Sequence, residues 1–197
     1  PLSAAPASLG AVSFETAISH LGGNSLFLGE EVGFREREGI ADFGRVISQY
    51  VDAIVVRAFH HSTLVELAKH CTCAVINGLT DEYRPCQIMG DIFTFIERRG
   101  DISGKTVAWI GDSNNVCNTW LQAAEVFDFN VHVSTPPGYE VEPERAGLYG
   151  TSHYEEFADP HDAVKDADLV TTDVWTSMGF EAETEEDDVM RRPPRPP

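Results

Sequence analysis

The sequence is poor in positive charge. Its 197 residues include 14 lysines and arginines against 32 aspartates and glutamates, which gives a formal net charge of −18. Nucleic acids and anionic membrane surfaces bind basic footprints, so we expect neither as a partner. A cationic small molecule suits this charge better, although a local site can oppose the net sign.

Cysteine patterns, metal-binding patterns and long apolar runs are also lacking. Cys71 and Cys73 are separated by one residue, whereas zinc knuckles usually have a longer spacer, and the seven histidines show no His-x-x-x-His pattern. We therefore predict no metal site and expect reduced thiols. No apolar stretch reaches the length of a membrane span, and the start has no basic region of a secretory signal. These absences favour a cytoplasmic protein without a membrane anchor.

What the sequence does contain is an alternation of helix and strand patterns. The predicted helices are residues 13–21, 42–51, 62–71, 85–99, 115–127 and 161–165, and the predicted strands are 25–28, 53–57, 74–77, 106–110, 131–134 and 168–172. Strands that alternate with helices are typical of a mainly parallel sheet covered on both faces. The pattern therefore predicts an α/β fold of two Rossmann-like lobes with mainly parallel sheets, joined by a bridging helix.

The predicted domain boundaries follow from changes in composition. Residues 1–11 are small and proline-containing, so we expect a disordered or linker-like start. Residues 12–84 form the first predicted lobe, 85–99 the bridging helix and 100–183 the second lobe. Residues 184–197 are first acidic and then rich in proline and arginine, which predicts a disordered tail. Its basic proline run also fits a short polyproline II ligand, a weaker hypothesis.

Polar residues follow several predicted strands, where α/β proteins usually bind ligands. Arg57 ends the strand 53–57, where its guanidinium can face a phosphate or carboxylate or form a surface ion pair. Gln87 lies one turn into the helix 85–99, and its amide can both donate and accept a hydrogen bond.

The second lobe has polar residues at equivalent places. Asn114 and Asn115 follow a strand and the turn at Gly111, where an asparagine is often a helix N-cap. A single glycine in this turn is too little for a dinucleotide fingerprint, so we predict no cofactor. Asp173 follows the strand 168–172, and Ser177 and Met178 lie in a glycine-ended loop after it.

Taken together, these features resemble the ornithine carbamoyltransferase family. The resemblance runs from about residue 12 to residue 183, with its motifs in family order. The matching segments are Val12–Glu15, Leu21–Gly23, Arg37–Glu38, Val51–Arg57, Val75–Asp81, Cys86–Gln87, Gly111–Asn115 and Asp173–Gly179.

The resemblance implies a reaction and an assembly. Ornithine carbamoyltransferases transfer the carbamoyl group of carbamoyl phosphate to L-ornithine, giving L-citrulline and phosphate in arginine biosynthesis, and they are cytoplasmic homotrimers without a cofactor. One lobe binds carbamoyl phosphate and the other binds ornithine. The Ser-Met-Gly loop at 177–179 favours ornithine over the aspartate of a sister family.

The same resemblance assigns roles to six residues. Arg57 and Gln87 would contact carbamoyl phosphate. Asn115, Asp173, Ser177 and Met178 would position ornithine, and Asp173 would also orient the attacking amine. Arg57 and Asp173 are thus the expected catalytic residues.

The sequence differs from the family pattern in three respects. Leu9 stands where the family has a phosphate-binding arginine, and Arg84 stands where it has a histidine. The family's opening strand and helix and its His-Cys-Leu-Pro segment have no counterpart, so we expect a fold in which the first and last family elements are missing. Two hypotheses therefore stay open: an ornithine carbamoyltransferase, and a non-catalytic relative that binds ornithine or associates with other subunits.

Overall fold

The structure is a computed structural model that describes residues 9–29, 39–148 and 152–173. The described residues fall into two compact units. The first contains those up to Val56 together with Ser62–Gly78, and the second contains Arg57–His61 and those from Leu79 onward. None of the helices within the described ranges is long and apolar enough to cross a membrane.

The first unit is built around a β-α-β arrangement. Its strands are β1 (Ala53–Arg57) and β2 (Ala74–Leu79), and its helices are α1 (Leu9–His20), α2 (Ile40–Ile47) and α3 (His61–His70). The backbone amide of Ala74 donates to Asp52 O at 3.3 Å where both strands begin. Since α3 connects two strands whose starting ends are paired, β1 and β2 run parallel.

The second unit contains a four-stranded parallel sheet in the order β5-β4-β3-β6. Its strands are β3 (Thr106–Ile110), β4 (Asn130–Ser134), β5 (Tyr154–Glu156) and β6 (Leu169–Thr171), and its helices are α4 (Pro85–Arg99), α5 (Asn115–Phe127), α6 (Pro143–Leu148) and α7 (Pro160–Ala163). In register, Val107 of β3 lies opposite Val131 of β4 and Leu169 of β6. The predicted parallel α/β fold is therefore confirmed.

The core of the second unit is dense and aromatic. Trp109, Trp120 and Phe129 are fully buried, and the rings of Trp120 and Phe129 meet edge to face at 5.9 Å. Helix α4 contributes the buried side chains Ile88 and Ile92, which lie one turn apart on the same face. This packing fixes the start of α4 and α5, where the candidate site lies.

Several predicted elements have the observed bounds, and others do not. Helices α4 and α5 and strands β1 and β3 match the sequence prediction at both ends. The predicted strand at 25–28 was wrong, because these residues are not in a strand and Leu26 is 81% exposed. Helix α6 and strand β5 were not predicted from the sequence. Helix α7 was predicted at residues 161–165, but it begins one residue earlier and is one residue shorter.

The start of the chain also differs from expectation. Helix α1 begins at Leu9, inside the segment predicted to be linker-like, and the Ser13 hydroxyl donates to Gly10 O at 2.8 Å in its first turn. Residues 1–8 lie outside the described part of the chain.

Candidate functional site

Four polar segments follow the carboxyl ends of strands, and all belong to the second unit. They are residues 58–61 after β1, 80–84 after β2, 111–115 after β3 and 172–173 after β6. The strands belong to two separate sheets, and the loops after the carboxyl ends of parallel strands are where α/β proteins usually bind ligands. Hydrogen bonds between the loops show how they are held.

Asp173 is held by the residue that caps helix α5. The Asn114 side chain accepts hydrogen bonds from the backbone amides of Val116 at 2.9 Å and Cys117 at 3.1 Å. The same side chain donates through Nδ2 to Asp173 Oδ2 at 3.2 Å. The N-terminus of a helix favours a nearby negative charge. Asn114 therefore joins a helix N-terminus to a carboxylate at the end of β6.

The first two turns of α5 hold the segment 80–84. The Asn115 side chain donates through Nδ2 to Thr80 O at 2.8 Å. The Thr119 hydroxyl accepts from the backbone amide of Arg84 at 2.8 Å and donates to Asn115 O at 2.6 Å. Asn118 donates to Glu82 O at 3.3 Å. Three side chains of one helix thus fix the loop that leads into α4.

The segment 80–84 is in turn tied to the segment after β1. Asp81 accepts through Oδ1 from the backbone amide of His61 at 2.9 Å, and its Oδ2 lies 3.4 Å from His60 Nδ1. The backbone amide of Asp81 donates to Phe59 O at 2.8 Å. The ring of His61 lies 3.2 Å from the Thr80 hydroxyl. A continuous set of hydrogen bonds therefore runs from the end of β1 to the end of β6.

Arg57 and Gln87 differ in the contacts that their side chains make. The Arg57 side chain is exposed and forms no ion pair with any residue in the described part of the chain. Gln87 is also exposed, but its Nε2 donates to Asp91 Oδ1 at 3.0 Å along the same helix. Burial raises the pKa of the Asp91 carboxyl, and the bond from Gln87 partly opposes this. The Arg57 guanidinium can bind an anion as it stands, and Gln87 keeps the second hydrogen of Nε2 for another acceptor.

The structure brings together some of the predicted site residues and leaves others unassigned. Asp173 is joined to Asn114 rather than to Asn115, whose amide turns to Thr80 instead. Ser177 and Met178 lie outside the described residues. Within residues 9–29, 39–148 and 152–173, no three histidine, cysteine or acidic side chains are grouped so that they could hold a metal ion.

Sequence reasoning missed the residues that organise the loops. Asn118 and Thr119 are 4% and 3% exposed and bond the segment 80–84, yet each looks like an ordinary helical residue in the sequence. A polar pair on the buried face of an apolar helix was the available signal. Asn118 Oδ1 is also buried without a hydrogen-bond partner among the described residues.

Both halves of the sequence match domains of the same protein family. Residues 10–97 match the domain described as "Aspartate/ornithine carbamoyltransferase, carbamoyl-P binding domain", and residues 103–192 match "Aspartate/ornithine carbamoyltransferase, Asp/Orn binding domain". The sequence is 66% identical over 175 residues to the ornithine carbamoyltransferase of Nitrosomonas europaea, and 63% identical over 176 residues to that of Methylobacillus flagellatus. These alignments cover 88% and 89% of this chain but 57% and 58% of the relatives.

Solved structures of ornithine carbamoyltransferases superimpose on this chain. The ornithine carbamoyltransferase of Pyrococcus furiosus superimposes with a TM-score of 0.86 at 42% identity, covering 95% of this chain and 62% of that one. The enzyme of Burkholderia thailandensis superimposes with a TM-score of 0.80 at 45% identity, covering 85% of this chain and 58% of that one. The chain thus spans somewhat more than half the length of the proteins it matches.

Proposed function

Because the chain belongs to the aspartate/ornithine carbamoyltransferase family, we propose that it transfers the carbamoyl group of carbamoyl phosphate to the side-chain amine of L-ornithine. The products would be L-citrulline and phosphate. The observation that carries the proposal is the hydrogen bond between Asn114 and Asp173, which holds a carboxylate at the end of β6. This residue lies within the range matched to the Asp/Orn binding domain.

The chemistry requires a neutral amine and a stabilised carbonyl oxygen. The lone pair of the ornithine amine attacks the carbamoyl carbon, a carbon–nitrogen bond forms, and negative charge develops on the carbonyl oxygen. The carbon–oxygen bond to phosphate then breaks, and the phosphate leaves with the electron pair and takes up the proton that the amine nitrogen loses. Asp173 would orient the amine by accepting its hydrogen bond, and Arg57 would offset the charge of the phosphate and carbonyl oxygens.

The other predicted residues would complete the two binding sites. Gln87 would donate to carbamoyl phosphate through the second hydrogen of Nε2, and Arg84 at the start of α4 would add positive charge nearby. Asn115 would face ornithine with its side-chain carbonyl, since its amide nitrogen is held by Thr80 O. Ser177 and Met178 would close over ornithine. We assign residues 12–84 to the carbamoyl-phosphate lobe and 100–183 to the ornithine lobe.

Citrulline formation tests this proposal. The purified chain is incubated with ornithine and carbamoyl phosphate beside two variants with the same chemical change, Asp173→Asn and Asp166→Asn. Asp166 is exposed and has φ 59°, a backbone conformation that asparagine also tolerates, so it is a matched control. We expect turnover by the native chain and the control and a loss on the order of 100-fold in Asp173→Asn. Equal rates in all three proteins would refute the role of Asp173.

One departure from the family pattern favours a second candidate function. Leu9, the first residue of α1, stands where the resemblance places a phosphate-binding arginine. Leucine can neither donate a hydrogen bond nor offset charge, and losing one such donor typically costs on the order of 10²–10³ in rate. The chain would then be a non-catalytic relative that binds ornithine or associates with other subunits.

Calorimetry distinguishes the two functions. Ornithine binding that does not depend on carbamoyl phosphate, in a folded sample that forms no citrulline, would support the non-catalytic function. Turnover would exclude it, and a Leu9→Arg variant should then gain little.

The cellular role and assembly are part of the same proposal. The chain would act in arginine biosynthesis in the cytoplasm as a homotrimer, as the resemblance to the family implies. The relatives' names specify the ornithine reaction, and this supports the metabolic assignment. Sedimentation equilibrium on the purified chain tests the trimer directly: a mass of one chain at all concentrations would contradict it.

A further inference from the structure

Two thiols and a hydroxyl lie close together in the first unit. Cys71 and Cys73 flank Thr72 between the end of α3 and the start of β2, and both are half-buried and reduced. The Cys73 thiol donates to Ser48 Oγ at 3.5 Å. The Ser48 hydroxyl and the Cys73 thiol both lie near enough to Cys71 to affect the pKa of its thiol. Both thiols therefore lie beside the end of α2.

The backbone between the cysteines has a shape that suits a covalent link. In a fully extended chain, the Cα atoms of residues i and i+2 lie about 7 Å apart, whereas a disulfide needs about 4.4–6.8 Å. The chain bends at Thr72 and Cys73 before it enters β2, so this segment is not fully extended. The bend is held in place, because the Thr72 backbone amide donates to Ser48 Oγ at 3.1 Å.

Helix α2 packs closely on this bend. A Cβ atom added to Gly44 would lie 3.3 Å from Cys71 Sγ and 3.2 Å from the Cβ of His70. The Ser48 hydroxyl donates to Gly44 O at 2.6 Å, so the end of α2 holds the hydroxyl that the Cys73 thiol contacts. The fold therefore positions the two thiols, and their closeness does not follow from sequence spacing alone.

We propose that Cys71 and Cys73 form a reversible intrachain disulfide by exchange with a small-molecule disulfide of the glutathione type. The thiolate of one cysteine attacks the small disulfide, a mixed disulfide forms, and one small thiol leaves. The second cysteine then attacks the protein sulfur of the mixed disulfide and releases the second small thiol. The protein loses two hydrogen atoms, and the small disulfide is reduced to two thiols.

The surroundings indicate the order of the two steps. Burial raises the pKa of the Cys71 thiol, so Cys71 is the poorer nucleophile for the first attack. Cys73 would attack first, and Cys71 would then resolve the mixed disulfide. The Ser48 hydroxyl keeps its bonds to Gly44 and Thr72 in the oxidised chain, so the fold should survive oxidation.

The remaining cysteines provide the controls. Cys117 is fully buried, and Cys86 is half-buried at the start of α4, in the second unit. Cys86→Ser should leave the exchange unchanged. Cys71→Ser and Cys73→Ser should each prevent the internal bond and leave a stable mixed disulfide on the cysteine that remains.

The experiment equilibrates the full chain with oxidised glutathione and measures intact mass and peptide masses. Cleavage after glutamate gives a fragment, residues 67–82, that contains both cysteines and no other. The expected result is loss of two hydrogen atoms from this fragment in the native chain, reversed by a reducing thiol. A stable mixed disulfide or unreacted thiols in the native chain would overturn the proposal. Equal closure in urea, with the fold removed, would overturn the claim that the fold builds the site.

Discussion

Replacing Asn114 separates two contributions of one side chain to stability. Its Oδ1 caps α5 by accepting from two backbone amides, at 2.9 and 3.1 Å, and its Nδ2 donates to Asp173 at 3.2 Å. Loss of an N-cap typically costs about 1 kcal/mol. A hydrogen bond to a charged group contributes about 1.5–3 kcal/mol when well buried, and we take about 1 kcal/mol because both side chains are only half-buried.

These magnitudes give a graded expectation. Asn114→Ala should lower the free energy of unfolding by about 2 kcal/mol, because it removes both contributions. Asn114→Ser should cost about 1 kcal/mol, because serine still caps the helix but is too short to reach Asp173. In an Asp173→Ala background, Asn114→Ala should cost only the cap, so the double-mutant cycle should show a coupling of about 1 kcal/mol.

Urea unfolding followed by tryptophan fluorescence measures these unfolding free energies for the second unit, which contains Asn114 and Asp173. Trp109 and Trp120 are fully buried in the core of the second unit, so their emission reports its unfolding. A coupling below about 0.3 kcal/mol would be indistinguishable from additivity and would refute the Asn114–Asp173 bond. Equal losses in Asn114→Ser and Asn114→Ala would refute the separation of cap and contact.

Three further predictions concern other parts of the structure. Thr119→Val should lower unfolding free energy by about 1–3 kcal/mol, since it strips the partner from a backbone amide at the start of α4; thermal denaturation measures this. Gly44→Ala should destabilise the fold by about 1–3 kcal/mol, because the added Cβ would lie 3.2–3.3 Å from neighbouring atoms. Gly90→Ala has no atom within 4 Å of the added Cβ and should stabilise the fold by about 0.5–1 kcal/mol. Stability changes of the same sign in the two variants would contradict the packing around Gly44. The hydrogen bond from the Thr106 amide lowers the pKa of the Asp168 carboxyl from its ordinary value of 3.8. The contribution of Asp168 to folding stability is therefore present above pH 3.8 and is lost as the pH falls through the folded-state pKa. Asp168→Asn should flatten this part of the curve of unfolding midpoint against pH.

The elements predicted correctly are those with local start and stop signals. Helix α4 begins with Pro85 at its first turn and ends before Gly100, which has φ 86°. Helix α5 begins after the asparagine cap at 114 and ends at Asp128, which adopts the left-handed conformation. These signals are in the sequence itself, so the bounds could be predicted without knowledge of the tertiary structure.

The elements missed depend on partners distant in sequence. Strand β5 has three residues of sequence Tyr-Glu-Glu and exists because it pairs with β4, with Tyr154 opposite Val131. The predicted strand at 25–28 had an apolar pattern but pairs with no strand among the described residues. A strand needs a neighbour, and one segment read alone does not reveal it.

The same distinction applies to the candidate site. That Arg57 ends a strand and Asp173 follows one was predictable from the alternation of elements, and the structure places both there. Which of the two asparagines contacts Asp173 was not predictable. It depends on the rotation of the first turn of α5, which directs Asn114 to Asp173 and Asn115 to Thr80.

The proposed ornithine site depends on Asp173, which follows β6. Calorimetric titration of the full chain with L-ornithine tests it most directly, with Asp173→Asn and the matched control Asp166→Asn titrated under the same conditions. We predict binding by the native chain and the control and loss of binding in Asp173→Asn. Equal affinity of all three proteins for ornithine would contradict the claim.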